Sequence, residues 1–298
     1  MDVSEPLVYI DGKFYPKSEA KISVYDHGLL YGDGVFEGIR VYDGVVFLLK
    51  EHIDRLYNSA KFIKLNIPIS KEEMMAAVIE TVKRNRAKNS YIRLLVTRGV
   101  GDLGLDPRKC SRASIIIIVE QIQLVGGAAK EKGISAIIAS TRRDSVSATT
   151  HEVKSLNYLN SILAKLEANE AGADMAIMLD SRGFVSEAEA ANIFIVRNGT
   201  IATPPTTAGI LDGVTRRRII KLIRELGMEV VERDITPFEL ITAEEVFLTG
   251  TGAEILPVTK INGIQIGDGV PGPITRKVMQ EFEKLVKSGK EGVRVQFD

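Results

Sequence analysis

The segment His151–Gly172, HEVKSLNYLNSILAKLEANEAG, sets Lys154 just ahead of a run with helical apolar spacing. Leu156, Leu159, Ile162, Leu163 and Leu166 form one stripe of a helix expected from Ser155 onward, and Lys165 falls off that stripe toward solvent. A cation at a helix start faces the positive end of the helix dipole, which favours the neutral amine. A neutral lysine can attack a carbonyl and form an imine. On position alone, a surface lysine beside a helix is the plainer reading.

Three other stretches carry comparable chemistry. In DGVTRRRII (Asp212–Ile220) the chain turns at Asp212 and Gly213, and Val214 and Thr215 open a helix. Their unpaired backbone N–H groups, with the Thr215 hydroxyl, suit a phosphate, and an ordinary N-capped helix is the alternative. TGTG (Thr249–Gly252) ends a strand with hydroxyls and glycines, for a ligand or for a tight turn. GFVSEAEAANIFIV sets Glu187 and Glu189 among small residues, facing either a pocket or solvent. Arg93 and Arg98 in SYIRLLVTRG are five apart, so an uninterrupted strand points them to opposite faces. An arginine on a buried face needs an anionic partner, either a protein carboxylate or a ligand.

The elements that must hold these residues alternate between hairpins, strands and amphipathic helices. Asp11-Gly12, Asp43-Gly44 and Asn198-Gly199 mark hairpin turns. KEHIDRLYNSAKFIKL reads as a helix with Ile53, Leu56, Ala60 and Ile63 inward, and SKEEMMAAVIETVKRNRA as a second, opened by a Ser70/Glu73 capping box. SYIRLLVTRG and ASIIIIVEQI are strong strands, and the glycine- and lysine-rich LVGGAAKEKG after them reads as a linker. Further on, strands are expected at ISAIIAST, ADMAIMLD, NIFIVRNGTIATPP, EVVERDI and EVFLTGTG, with helices at GVTRRRIIKLIRELG and PITRKVMQEFEKLVKSG.

Composition narrows the function classes. The 298 residues carry no net charge, so no global field draws nucleic acid or an anionic membrane. No apolar run reaches the length of a membrane span, and the first residues lack the pattern of a signal peptide. Cys110 is the single cysteine and there are three dispersed histidines, which argues against disulfides and against a metal site. A cytoplasmic α/β protein is expected.

An imine-forming lysine, a phosphate cup and a pocket carboxylate are together the partners that pyridoxal phosphate requires. The chain resembles the class IV (fold type IV) pyridoxal-phosphate aminotransferases, and within them the prokaryotic branched-chain amino acid aminotransferases. The motifs that carry the resemblance are YGDGVFEGIR, EHIDRLYNSAK, YIRLLVTRGVGDLG, KSLNYLNSILAKLEA, SEAEAANIF, TPP, GVTR and EVFLTGTGAEILPV, and they cover nearly the whole chain. The resemblance implies a mixed α/β (α+β) enzyme of two domains. These are a smaller N-terminal α/β domain (1–122), a linker (123–132) and a larger cofactor-binding domain (133–298) with a barrel-like sheet.

Residue by residue, the resemblance assigns Lys154 to the Schiff base, Glu187 to the pyridine nitrogen and Arg55 to the phosphate. Gly213, Val214, Thr215 and Thr251 complete the phosphate cup, Leu211 packs on the ring, and Tyr158 matches a tyrosine on the ring oxygen. Tyr31, Phe36, Gly38, Tyr91, Arg93, Arg98, Gly252 and Ala253 match substrate-side positions, with Tyr31 serving a partner subunit's site. Arg93 is expected to meet the glutamate side-chain carboxylate. The implied activity moves the amino group of L-leucine, L-isoleucine or L-valine to 2-oxoglutarate, in at least a homodimer. The chain departs from the family at Glu189, where relatives carry a small or hydroxyl residue, at Ala191, at Gly252, and in TRRDSVSATTHEV before the lysine. Arg98 stands where D-amino acid aminotransferases hold a carboxylate-binding arginine. The alternatives are therefore a D-amino acid or (R)-amine transaminase, then an aminodeoxychorismate lyase, then a non-enzymatic pyridoxal-phosphate-binding protein.

Overall fold

The computed structural model describes residues 5–121 and 127–297. The first half contains β1 (Leu7–Ile10), β2 (Lys13–Pro16), α1 (His27–Tyr31), β3 (Gly34–Tyr42), β4 (Val45–Phe47), α2 (Leu49–Phe62), α3 (Lys71–Arg84), β5 (Ser90–Thr97) and β6 (Ser114–Glu120). Then follow α4 (Gly127–Lys132), β7 (Ile134–Ile138), α5 (Leu159–Glu170), β8 (Met175–Leu179), β9 (Val185–Ala188), β10 (Asn192–Arg197), β11 (Thr200–Thr203) and α6 (Val214–Glu225). The chain closes with β12 (Val230–Glu232), α7 (Pro237–Ile241), β13 (Glu245–Gly250), β14 (Glu254–Ile261), β15 (Ile264–Gln265), α8 (Pro273–Ser288) and β16 (Gly292–Arg294).

Two compact units result. One holds Met1–Ile122, Val153–Asn157 and Leu285–Asp298; the other holds Gln123–Glu152 and Tyr158–Lys284. Residues 133–298 are thus not a single piece, because the stretch around Lys154 and the C-terminal residues pack with the first unit. Within the linker expected at 123–132, residues 127–132 form α4, and 123–126 lie outside the described residues.

The first unit is a seven-stranded antiparallel sheet in the order β16-β4-β3-β5-β6-β1-β2. Its hairpins turn at Asp11-Gly12 (φ 49° and 92°) and Asp43-Gly44 (φ 44° and 74°). Positive φ at both turn residues is the geometry that matches the right-handed twist of the strands, and Asp-Gly tolerates it best. Strand alternation then sorts β3 and β5 into two faces. Val35, Ile39 and Val41 with Ile92, Leu94 and Val96 face Leu49, Ile53 and Leu56 of α2 and Met74, Val78 and Val82 of α3. Helix α3 starts at the capping box of Ser70 and Glu73, each side chain bonding the other's backbone N–H. The strands' other face carries Phe36, Gly38 and Arg40 opposite Leu95, Arg93 and Tyr91.

The second unit is a nine-stranded sheet, β12-β11-β10-β13-β14-β7-β8-β9, with β15 on β14. It curls so that β9 meets the start of β10, where Ala188 N–H donates to Ala191 C=O at 2.8 Å. The interior of the curl is lined from nearly every strand, by Ala136, Ile177, Val185, Ile193, Ile195, Leu248, Leu256 and Val258. Phe194 and Phe247, on the opposite face of neighbouring strands, stack with centroids 4.9 Å apart. Helix α5 lies on β8 through Ala164 and Ala168, which pack against Ala176 and Met178. Small residues let the helix approach closely, and they place the expected stripe of Leu159, Ile162, Leu163 and Leu166 outward, where all four are exposed.

Candidate active site

Lys154 does not sit at a helix start. Helix α5 begins only at Leu159, with Tyr158 as its N-cap residue. Residues 153–157 run instead beside β3, in the same unit. The reason lies in the sheet. β4 pairs with β3 only at Val41 and Tyr42, so the backbone of Gly34–Phe36 would be unpaired on that edge. The lysine segment takes that place: Phe36 N–H donates to Lys154 C=O and Leu156 N–H to Gly34 C=O, both at 3.0 Å, and Ser155 bridges Val35. Lys154 N–H reaches Ser59 Oγ of α2 at 3.2 Å. A strand edge, not a helix dipole, fixes this lysine.

Its ammonium lies over the Phe36 ring, with Nζ 4.4 Å from the centroid. The Arg93 guanidinium lies 4.8 Å from the same ring and 5.5 Å from that of Tyr91. Gly38 makes room for this cluster. A Cβ there would stand 1.8 Å from the Tyr91 hydroxyl oxygen, so only glycine lets the phenol cross the strand. The expected substrate-side residues Phe36, Gly38, Tyr91 and Arg93 therefore gather on the sheet face that also receives Lys154.

The opposite face of β3 holds an anomaly. Glu37 occupies a core-facing position between Val35 and Ile39 and is fully buried. Arg55 of α2 grips it edge-on, Nε to Oε1 at 2.7 Å and Nη2 to Oε2 at 2.8 Å. His52, three residues earlier on the same helix face, donates Nδ1–H to Oε2 at 2.8 Å. Burial pushes the Glu37 carboxyl up, but the charge and hydrogen bonds of Arg55, with those of His52, outweigh it and hold it down at about 2. Burial lowers His52, and the Arg55 and Lys154 charges lower it further against the pull of Glu37, so the imidazole is neutral at pH 7. Arg55, expected on a phosphate, is thus set in a fixed plane by a carboxylate that motif reading passed over. The signal was an acid at an apolar register position of FEGIRV, with a histidine one helical turn before the arginine.

Two substrate-side expectations find other partners. Arg98 makes four hydrogen bonds within the first unit, two to the Asp33 carboxylate at 2.9 Å and two to the Ile63 and Lys64 carbonyls at the end of α2 at 2.8 Å. It caps the end of α2 and pairs an acid within the first unit. Tyr31 donates its hydroxyl to Leu103 C=O and packs its ring edgewise on His27, centroids 5.0 Å apart. The Tyr31 hydroxyl, together with His27 Nε2 at 2.8 Å from Asp102 C=O, ties the Gly101–Leu105 loop to α1.

In the second unit Glu187 lies on β9, a wholly buried strand and not a solvated turn. Its Oε2 accepts from Asn192 Nδ2 at 3.0 Å and from Leu211 N–H at 3.1 Å, and Arg143 Nη2 lies 3.2 Å from Oε1. Asn192 also donates to Leu211 C=O at 2.8 Å, fixing the turn before α6. A Cβ on Gly213 would meet Asn192 Oδ1 at 2.1 Å, so this close approach requires glycine. Gly213 is the N-cap residue of α6 and offers no side-chain hydrogen bond to the first turn. Val214 and Thr215 open the helix and are buried.

Thr251, Gly252 and Ala253 form the turn between β13 and β14, and the Thr249 hydroxyl just before it is buried with no partner among the described residues. Tyr158 is half-buried, its carbonyl accepting Ile162 N–H at 2.9 Å. Glu189 is turned to β8, where it accepts Ala176 N–H at 2.8 Å, and burial raises its carboxyl. Arg143 carries no local sequence signal, because its partner Glu187 lies 44 residues further along the chain.

Each unit holds groups whose chemistry suits pyridoxal phosphate. In the first, an amine held on a strand edge suits its aldehyde. In the second, an uncapped first turn on α6 suits its phosphate and a triply held carboxylate suits its ring nitrogen. The model of amino-transferase class IV matches residues 34–261. The chain belongs to the class IV aminotransferase family.

Among its class IV relatives, a Methanocaldococcus jannaschii protein, provisionally assigned as a branched-chain-amino-acid aminotransferase, is 55% identical over 278 residues, 93% of this chain and 96% of that one. The crystal structure of the Escherichia coli branched-chain amino acid aminotransferase superposes with a TM-score of 0.93 at 37% identity, covering 96% of each chain. The branched-chain amino acid aminotransferase of Thermobaculum terrenum, solved in its PLP-bound holo form, superposes with a TM-score of 0.88 at 31% identity, covering 97% of this chain and 96% of that one. No helix among the described residues is long and apolar enough to cross a membrane. No group of three or more potential ligands among them could hold a metal ion.

Proposed function

We propose that this chain is a pyridoxal-phosphate-dependent aminotransferase that moves the amino group of L-leucine, L-isoleucine or L-valine to 2-oxoglutarate. The observation that carries this reading is Lys154, held by the β3 edge with its amine over the Phe36 ring that Arg93 also packs against. Bound pyridoxal phosphate supplies an aldehyde that condenses with amines and a ring that takes up the electrons of a broken Cα–H bond. Lys154 provides the amine that bonds the aldehyde. When not bonded to the cofactor, the Lys154 amine would take the proton from the substrate Cα as a general base and, as a general acid, deliver it to the carbon that had been the cofactor's aldehyde carbon. Glu187 keeps the ring nitrogen protonated. Arg55 and the N–H groups of Val214 and Thr215, with the Thr251 hydroxyl, hold the phosphate, and Leu211 packs on the ring. Phe36, Tyr31 and Tyr91 wall the apolar part of the substrate site, and Arg93 meets the second carboxylate of glutamate. A D-amino acid reading needs Arg98 for a carboxylate, and its engagement with Asp33 and two carbonyls argues against that use.

The chain is proposed to act as a homo-oligomer, at least a dimer, in the cytoplasm. The outward apolar stripe of α5 and the exposed Leu29, Leu30, Leu103 and Leu105 of the first unit support self-association. Single half-reactions test the activity. L-leucine is expected to bleach the absorbance of the bound cofactor, and D-alanine and (R)-1-phenylethylamine are not. Retention of a borohydride-reducible linkage and of turnover in Lys154→Ala would refute the assignment.

A further inference from the structure

Arg143 is among the most deeply buried charges of the second unit, 2% exposed, and lies in the stretch before Lys154 that departs from the family pattern. A guanidinium there needs a counter-charge and several acceptors. Among the described residues its ion pair is with Glu187, Nη2 to Oε1 at 3.2 Å. Nη2 also donates to Ala188 C=O at 3.2 Å, and Nη1 to Asn160 Oδ1 at 3.2 Å and Ser161 Oγ at 3.1 Å. These acceptors come from β9 and the start of α5, so the guanidinium cannot swing away without breaking both attachments. Its stem is packed as closely: a Cβ on Gly209, which holds φ +77°, would stand 3.2 Å from Arg143 Cγ.

We infer that Arg143 is a positioning residue that decides where the proton shared by Glu187 and the cofactor's ring nitrogen resides. This rests on the proposed pairing of Glu187 with that nitrogen. Two arrangements compete in a buried pair: a carboxylate facing a protonated ring, and a carboxylic acid facing a neutral ring. In a poorly solvated site the neutral pair is favoured unless something stabilises the separated charges. The Arg143 cation does so. It touches the carboxylate directly, Nη2 to Oε1 at 3.2 Å, and as a guanidinium that stays protonated it stabilises the anionic form of Glu187 over the acid, which favours the proton on the ring nitrogen. Asn192 Nδ2 and Leu211 N–H on the other oxygen help, but as neutral donors they hold the carboxylate less strongly than a guanidinium. Arg143 thereby keeps the proton on the ring, where it makes the ring an electron acceptor.

The test uses the holoenzyme loaded with cofactor labelled with ¹⁵N in the ring, read by solid-state or solution ¹⁵N NMR, together with the cofactor dissociation constant. The wild type is expected to give the shift of a protonated ring nitrogen and Glu187→Gln that of a neutral one. Arg143→Met and the closer-fitting Arg143→Gln are expected to move the shift toward the neutral value and to weaken the cofactor roughly 10- to 100-fold. Arg143→Lys, which keeps the charge, is expected to restore the wild-type shift. Adding Arg143→Gln to Glu187→Gln is expected to leave both readouts where Glu187→Gln alone puts them. A wild-type shift in Arg143→Gln, a neutral shift in Arg143→Lys, or additive losses in the double variant overturns the inference. A Glu187→Gln shift equal to that of the wild type instead removes the pairing of Glu187 with the ring, a separate failure.

Discussion

Glu37 and Arg55 meet edge-on inside the apolar face of the first sheet, through two hydrogen bonds of 2.7 and 2.8 Å between Nε, Nη2 and the two carboxylate oxygens. A carboxylate among Val35, Ile39 and Leu94 cannot be solvated, so the pair exists only as a unit. Removing one partner leaves the other charged and buried. Glu37→Gln is expected to destabilise the protein by about 3–5 kcal/mol. It is also expected to raise the Kd for cofactor, because Arg55 loses the grip that fixes its plane. Urea unfolding and cofactor titration measure the two effects, and a variant with wild-type stability would show that the pair is not needed.

The same cluster makes the protein acid-labile in two stages. His52 has its folded pKa depressed below 6.5, so the unfolded chain takes up a proton first and stability falls as pH drops through that value. Glu37 is depressed from 4.5 to about 2, so its contribution is complete above 4.5 and is lost as pH falls toward 2. Both act in the same direction. His52→Asn keeps a neutral donor toward Glu37 without a titrating ring and is expected to remove the upper stage alone. Melting temperatures from pH 8 down to pH 3 resolve the stages, and a flat profile across both windows contradicts the reading.

Arg98 separates a structural arginine from a substrate-binding one. Its bonds to Asp33 and to the end of α2 predict that Arg98→Ala costs about 1–3 kcal/mol of stability. The KM for 2-oxoglutarate is expected to stay within about twofold of the wild type, since no lost contact belonged to substrate. A large rise in KM with unchanged stability is the opposite signature and would return Arg98 to the substrate site.

The sequence made the local chemistry of the fold legible where one residue type decides the backbone. Asp-Gly and Asn-Gly turns, the Ser70/Glu73 box and the strand alternation of SYIRLLVT all appear where their patterns place them. Lys154 was legible as a residue but not in its setting. The gap on β3 arises because β4 is three residues long, and no pattern near Lys154 records that. Arg143 and Glu37 were illegible for a related reason. Buried ion pairs are made across sheets and helices, and each partner alone looks like an ordinary surface charge. The α5 stripe had the right period and the opposite direction, because Ala164 and Ala168 give the helix a small face that packs closer to β8.

Gly38 predicts a change on the substrate-side face of β3. In Gly38→Ala the new Cβ overlaps the Tyr91 hydroxyl, which must rotate away and release its ring from Arg93. Glu37 and Arg55 lie on the other face of β3 and are left in place, so cofactor affinity is expected to remain close to that of the wild type. The cofactor absorbance is expected to shift, because Lys154 shares the face of Phe36, Gly38 and Arg93. The kcat/KM for leucine is expected to fall by roughly tenfold or more, corresponding to about 1.4 kcal/mol. A loss of cofactor with no change in kcat/KM per loaded site would place Gly38 on the wrong side of the sheet.

Helix α5 presents an uncovered apolar face. Leu159, Ile162, Leu163 and Leu166 are 67, 52, 45 and 50% exposed, four large apolar residues on one contiguous helical face. Scattered exposed leucines are common, but a complete i, i+3, i+4, i+7 stripe is the pattern of a buried face. The inner face of the helix is already satisfied by Ala164, Ala168 and Ser161, so rotation cannot bury the stripe within the unit. Another copy of the chain is the proposed cover. Ile162→Lys and Leu163→Lys put charge into that contact and leave the packing on β8 untouched. Each is expected to shift sedimentation toward the monomer at micromolar concentration, with far-UV circular dichroism unchanged. Wild-type sedimentation in both variants would exclude α5 from the interface.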